Sequence, residues 1–109
     1  MAIPHAQPGE IIHARPLGAS LAATKTHTLV KTDELKIIRL VLGAGKLLPT
    51  HKAPGTIIVH CLEGRMIFTA RDQELDMFPG DLVYLTVNEP HEVLAVEDSS
   101  FLLTITRSG

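Results

Sequence analysis

The sequence predicts an all-β domain, an antiparallel sandwich or barrel. Three observations carry that prediction. From Thr26 onward, short runs of β-branched and aliphatic residues recur. Turn-forming residues separate these runs at short intervals. No stretch shows a convincing helical pattern.

The elements follow in order. Thr26–Lys31 reads as a strand, ended by Thr32-Asp33-Glu34. Leu35–Leu42 is a second strand, its apolar run interrupted by Lys36 and Arg39. Gly43-Ala44-Gly45 turns the chain, because glycine tolerates positive φ. Lys46–Leu48 starts a short run that should stop at Pro49. After the Pro54-Gly55 turn, Thr56–Leu62 is continuously apolar enough to predict a strand buried on both faces. Gly64 breaks it, and Arg65–Ala70 is next. Arg71-Asp72-Gln73 should turn a hairpin into Glu74–Met77, and Pro79-Gly80-Asp81 is a strong turn. Leu82–Val87, Glu92–Glu97 and Phe101–Thr106 complete eight or nine strands, with turns at Asn88-Glu89-Pro90 and Asp98-Ser99-Ser100.

The chain has 109 residues, the size of one domain. Residues 1–25 form a separate opening segment, rich in Pro and Ala and poor in charge; residues 26–109 form the barrel domain. Within the segment, Glu10–Ala14 reads as a short strand and Ala19–Thr24 as a short helix. Ten Lys and Arg against twelve Asp and Glu give a net charge of −2, which argues against a nucleic-acid partner. The single cysteine, Cys61, excludes an intrachain disulfide framework and a four-cysteine zinc site. No apolar run reaches membrane-helix length, and the start lacks a signal-peptide pattern, so a cytoplasmic protein without a membrane partner is expected. Apolar residues reach 45%, more than one small core requires, which predicts a surface covered by another chain.

Six histidines are the main chemical resource: His5, His13, His27, His51, His60 and His91. Most histidines in a β-protein are surface or hydrogen-bonded residues. His51 and His91 stand out through their setting. His51 follows Gly45 after five residues, and His91 follows Pro79-Gly80-Asp81 and Pro90.

On these residues the stretch from Gly45 to Ala95 resembles the cupin family of small β-barrels. The family's first motif runs Gly, five residues, His-x-His, three or four residues, Glu, six residues, Gly. Its frame falls on Gly45, His51, Ala53, Ile57 and Gly64. The second runs Gly, five residues, Pro-x-Gly, two residues, His, three residues, Asn. It falls on Gly80, Thr86, Asn88, His91 and Ala95. The phrases Cys61-Leu62-Glu63-Gly64 and Phe78-Pro79-Gly80-Asp81-Leu82-Val83 are also cupin-like. Flanking strands extend the resemblance over residues 26–107. It implies a double-stranded β-helix, or jelly roll, and a homodimer.

The resemblance also implies four metal-ligand places, three in the first motif and one in the second. Only His51 and His91 match them; Ala53 and Ile57 stand at the other two and have no donor atom. Two imidazoles hold a divalent transition metal only weakly. No cofactor, or one weakly bound divalent metal at His51 and His91, is expected. Cys61 shares a strand face with Ile57 but lies four residues, about 13 Å, away. His60 should point outward, and His27 could enter the barrel from an earlier strand.

Two readings of the pair stay open. His51 and His91 face each other and bind a ligand, or they are hydrogen-bonding residues in an apolar cavity. Ala53, Ile57 and Val59 would wall that pocket. Other catalytic patterns fail. His91-Glu92-Val93-Leu94-Ala95 lacks the second histidine of a zinc protease, and neither a nucleophile elbow nor a phosphate loop occurs. Glu63 is expected at a strand end in water, Glu92 turned away from His91, Asp81 capping its turn, and Arg65 solvated. An aromatic content of 4% without Trp offers no stacking platform. No catalytic residue is assigned. Three function classes remain: a small-molecule-binding barrel, a metal-dependent enzyme of dioxygenase or isomerase type using His51, His91 and a further ligand, and a structural or regulatory interaction module. An N-terminal strand added to a partner's sheet edge is the expected route to the dimer.

Overall fold

The alternation of apolar and polar residues becomes nine antiparallel strands in a computed structural model that describes residues 4–106. They are β1 (His27–Lys31), β2 (Leu35–Leu42), β3 (Leu47–His51), β4 (Ile57–Glu63), β5 (Met66–Ala70), β6 (Gln73–Met77), β7 (Leu82–Leu85), β8 (His91–Ala95) and β9 (Ser99–Thr106). Five form one sheet in the order β1-β2-β9-β4-β7, and four form the other in the order β3-β8-β5-β6. Each sheet turns one face inward. Phe68, Met66 and Val93 from the smaller sheet meet Ile57, Val59, Cys61 and Phe101 from the larger, all almost wholly buried. This is the all-β antiparallel architecture that the strand pattern predicts, in the double-stranded β-helix form that the resemblance implies. No helix among the described residues is long and apolar enough to cross a membrane.

Several element boundaries differ from expectation, each for a physical reason. β4 is buried on one face only: Ile57, Val59 and Cys61 point in, while Ile58 is exposed and His60 half-buried on the outer face. β3 continues through Pro49 to His51, because β3 is a sheet edge where a missing N–H costs no ladder bond. β9 starts at Ser99 rather than after Ser100. Both serines are fully buried, and their hydroxyls are satisfied by Arg65 and Glu97 carbonyls and by Glu63. The β5–β6 hairpin turns on Arg71 and Asp72 alone, with φ of 52° and 61°. Asp81 caps its turn as expected, accepting from the Phe78 N–H at 2.9 Å.

The opening segment forms no strand at Glu10–Ala14; its regular piece is a 3-10 helix over Gly18–Ala23. It lies against its own sheet. The Ala6 N–H donates to the Leu29 carbonyl of β1, and Leu21 is buried. Glu63, expected in water, is the anchor. Its carboxylate accepts from the Leu17 N–H at 2.9 Å, the Gly18 N–H at 3.1 Å and the Ser100 hydroxyl. It also pairs with Arg39 at 3.2 Å, with side-chain exposures of 13% and 4%. The sequence hides this because donors and acceptor lie 46 and 24 residues apart. Arg39 donates further to the Arg15 carbonyl and the Ser100 hydroxyl.

Burial pushes the Glu63 carboxyl up, but bonds from Leu17, Ser100 and Gly18 and the Arg39 charge outweigh it, and its pKa falls below the ordinary 4.5. A depressed carboxyl stabilises the fold above its unfolded pKa, and that stability is lost as pH falls through the folded value. Denaturant midpoints measured downward from about pH 5 should therefore drop for wild type and lose that component in Glu63→Gln. Equal acid slopes would refute the linkage.

Gly64 ends β4 with φ +82°, and a Cβ there would collide with the Asp98 carbonyl oxygen. Gly80 also has positive φ, at +95°, but nothing lies within 4 Å. Gly80→Ala should cost about 1 kcal/mol from backbone strain alone, whereas Gly64→Ala should cost at least about 3 kcal/mol by adding a backbone clash. Urea unfolding of the two variants gives the comparison.

Candidate functional site

Strand pairing builds the site. β3 and β8 are antiparallel neighbours, and His51 and His91 are directly opposite in their register. The spacing is irregular: Leu48 pairs with Val93 and His51 with His91, so three steps on β3 match two on β8. That extra residue is a β-bulge, and it changes which side chain turns inward. Strict alternation would place Thr50 on the face of Leu48. Instead, Leu48 and His51 both line the interior, and Thr50 joins Glu92 outside, its hydroxyl donating to Glu92 at 3.3 Å.

The two imidazole rings meet edge to face, with centroids 4.2 Å apart and an interplanar angle of 63°. Phe68 stacks on the far ring, 5.7 Å from His91 and tilted by 14°. His91 is 3% exposed, whereas His51 is open to solvent. The pair therefore spans the step from solvent to core. Each ring is fixed the same way. The Nδ1 of His51 lies 2.9 Å from the Pro49 carbonyl, and that of His91 3.0 Å from the Glu89 carbonyl. A carbonyl only accepts, so in the neutral ring Nδ1 carries the proton and Nε2 keeps its lone pair. Burial lowers the pKa of His91; the bond to Glu89 opposes this, and the neighbouring His51 adds to the lowering.

Beneath the pair the walls are Leu40, Leu48, Val59, Phe68, Val93, Phe101 and Leu103. The space they leave is about 10 Å³, room for about one water centre. His51, Val59 and His91 thus share one small cavity. Ala53 and Ile57 are buried in the core, 8% and 1% exposed, but do not line it. His27 does not enter the barrel; it faces an outer groove under the opening segment, with Nδ1 bonded to the Lys25 carbonyl. Cys61 is fully buried, and burial pushes its thiol up, as befits a small core residue. Arg65 does not turn into the barrel: its side chain stays 38% exposed on the surface, pairs with Asp76 at 3.0 Å and lies over the Phe78 ring.

A resident metal is testable on this donor set. The other two cupin ligand places hold Ala53 and Ile57, which have no donor atoms. Among the described residues, no three His, Cys, Asp or Glu side chains stand where they could hold one ion. The residues present do not fit a complete metal centre.

Known proteins agree with this architecture. A family model described as a cupin domain matches residues 38–106. No curated protein matches the sequence. A conserved Streptococcus pyogenes protein of unknown function superposes with TM-score 0.76 at 20% identity, covering 100% of this chain and 96% of its own. A cupin superfamily protein from Desulfitobacterium hafniense gives 0.77 at 17% identity, covering 94% and 100%. An RmlC-like cupin from Methanocaldococcus jannaschii with a double-stranded β-helix gives 0.74 at 22% identity, covering 93% and 94%. With strands, motif frame and family model in agreement, the chain belongs to the cupin family.

Proposed function

We propose that this cupin binds a small molecule at the mouth of its barrel through His51 and His91. The carrying observation is the pair itself: two rings in contact, each oriented through Nδ1 by a backbone carbonyl. Orienting a ring from behind leaves Nε2 as its remaining polar atom. Neutral Nε2 accepts a hydrogen bond, so the complementary ligand group is a donor, a hydroxyl or an amine. The apolar floor leaves no volume for a drug-sized ligand, which needs about 300–1,000 Å³. The ligand therefore presents its polar end to the pair from the solvent side, where His51 is open. Nothing in this reading requires catalysis.

The filled interior favours one second reading, an interaction module in which the histidines only stabilise the mouth. Ligand-induced stabilisation separates the two. Small hydroxylated and amine compounds, and divalent iron, manganese, zinc and nickel in a separate arm, are screened by thermal shift on wild type, His51→Ala and His91→Asn. A compound at a hundred times its Kd stabilises by about 2.7 kcal/mol, which raises Tm by about 11–22 °C at the roughly 4–8 °C per kcal/mol of a domain near this size. The shift should vanish in both variants while their far-UV spectra stay unchanged. Compounds that shift wild type and both variants equally would exclude the histidine pair as the site.

Acid should release the ligand. The lowered pKa of His91 keeps its ring neutral to below the ordinary 6.5. Neutral His91 stabilises the fold above the unfolded value, and that contribution is lost as pH falls through the lower folded value. Protonation there also removes the acceptor. Affinity should hold down to about pH 6.5 and fall below it, as read by calorimetric titration across that range. An affinity that rises on acidification would contradict neutral acceptors.

A further inference from the structure

We infer that the groove between the opening segment and β1 is a second binding site, which takes a small organic anion with an apolar body on His5, His13 and His27.

The groove holds about 420 Å³, within the range of about 300–1,000 Å³ that small-ligand sites occupy. That is far more than the space beneath the mouth histidines. Two stretches of chain build it. β1 is a sheet edge, and the opening segment is tied to it where the Ala6 N–H donates to the Leu29 carbonyl at 2.7 Å. Farther along, Glu63 and Arg39 hold the segment backbone at Leu17, Gly18 and Arg15. Both ties keep the segment wall in place.

Half of the chain's six histidines line this groove, His5 and His13 from the segment and His27 from β1. Among the described residues no three metal-binding side chains stand where they could share one ion, so these imidazoles act as separate contacts along the groove. The rest of the lining is apolar. Ile12 and Leu29 are half-buried, and Ile11 stands 81% exposed. An exposed isoleucine beside imidazoles offers an apolar body something to cover.

Charge favours an anion. The first 31 residues carry Arg15, Lys25 and Lys31 against one carboxylate, Glu10, in a chain of net charge −2. Glu10 also lines the groove, but its carboxylate accepts the Gln7 N–H within the segment's own turn. On β2 the register neighbour of His27 is Arg39, whose guanidinium is taken up by Glu63, Ser100 and the Arg15 carbonyl. The imidazoles are therefore the groups left to meet a ligand. His27 Nδ1 lies 2.7 Å from the Lys25 carbonyl, so it already donates in the neutral ring. A proton added at Nε2 breaks no bond and supplies a charged donor. Histidine changes charge between about pH 5 and 8, so the groove gains positive charge as pH falls through that range. Acid thus strengthens this site, whereas it weakens a site that needs neutral acceptors at His51 and His91.

Two-dimensional NMR of the isotope-labelled full chain, titrated with sodium benzoate against sodium chloride at equal concentration, tests the site. Saturable shifts should centre on the amides of His5, His13, His27 and Leu29. Affinity at about pH 5.5 should exceed that at about pH 8 roughly tenfold. Benzyl alcohol, which keeps the ring and lacks the charge, should show no gain on acidification. His13→Gln/His27→Gln should lose the acid gain while its spectrum stays dispersed, because neither side chain belongs to the core. Shifts that sodium chloride reproduces, a benzoate affinity that does not rise on acidification, an equal rise for benzyl alcohol, a double variant that keeps the acid gain, or shifts centred on His51 and His91 would each overturn the assignment.

Discussion

The interior of the barrel is filled from both sheets, and that filling constrains everything else. Phe68 and Phe101 enter from opposite sheets, and both are almost wholly buried. Large aromatic side chains in a barrel this small leave little unoccupied space. The histidines are therefore pushed to the mouth, with one ring against Phe68 and the other in solvent. This barrel has an apolar plug with two imidazoles above it, so the proposed recognition rests on the histidine pair and not on an enclosed cavity.

The fold was legible in the sequence because its signals are local. Alternating apolar runs and Gly, Pro and Asp turns need no knowledge of tertiary neighbours, and the motif frame singled out His51 and His91, whose contact the strand register then supplies. What stayed hidden depends on distant groups. Ser99 and Ser100 read as a turn because serine favours turns by default; their strand state rests on buried partners 34 and 37 residues away. Glu63 reads as a solvated carboxylate because its donors Leu17, Gly18 and Ser100 lie 46, 45 and 37 residues away. The inward turn of His51 depends on a bulge that no residue type announces, although Pro49 marks the edge strand where it occurs.

The Glu63 cluster shows how this small domain treats polarity. Arg39 interrupts the apolar run Ile37–Leu42 of β2 and is 3% exposed. Burying a guanidinium is costly unless it is paired and hydrogen-bonded. The partners are recruited from three places at once: β4 supplies the carboxylate, β9 the hydroxyl, and the opening segment a carbonyl. The carboxylate in turn satisfies two backbone N–H groups at the start of the 3-10 helix. The segment stays on its sheet because removing it would leave a buried ion pair with open valences. Specific placement of an otherwise irregular stretch thus follows from one charge inside the sheet.

The same close packing bounds what can reach the mouth. The histidine pair sits on β3 and β8 of the smaller sheet, above an interior that admits about one water. Phe68 lies against His91, so moving that ring inward would require a second arrangement of the core, and close packing disfavours one. Any group that meets the Nε2 atoms of the pair must therefore approach from the solvent side, where His51 is open.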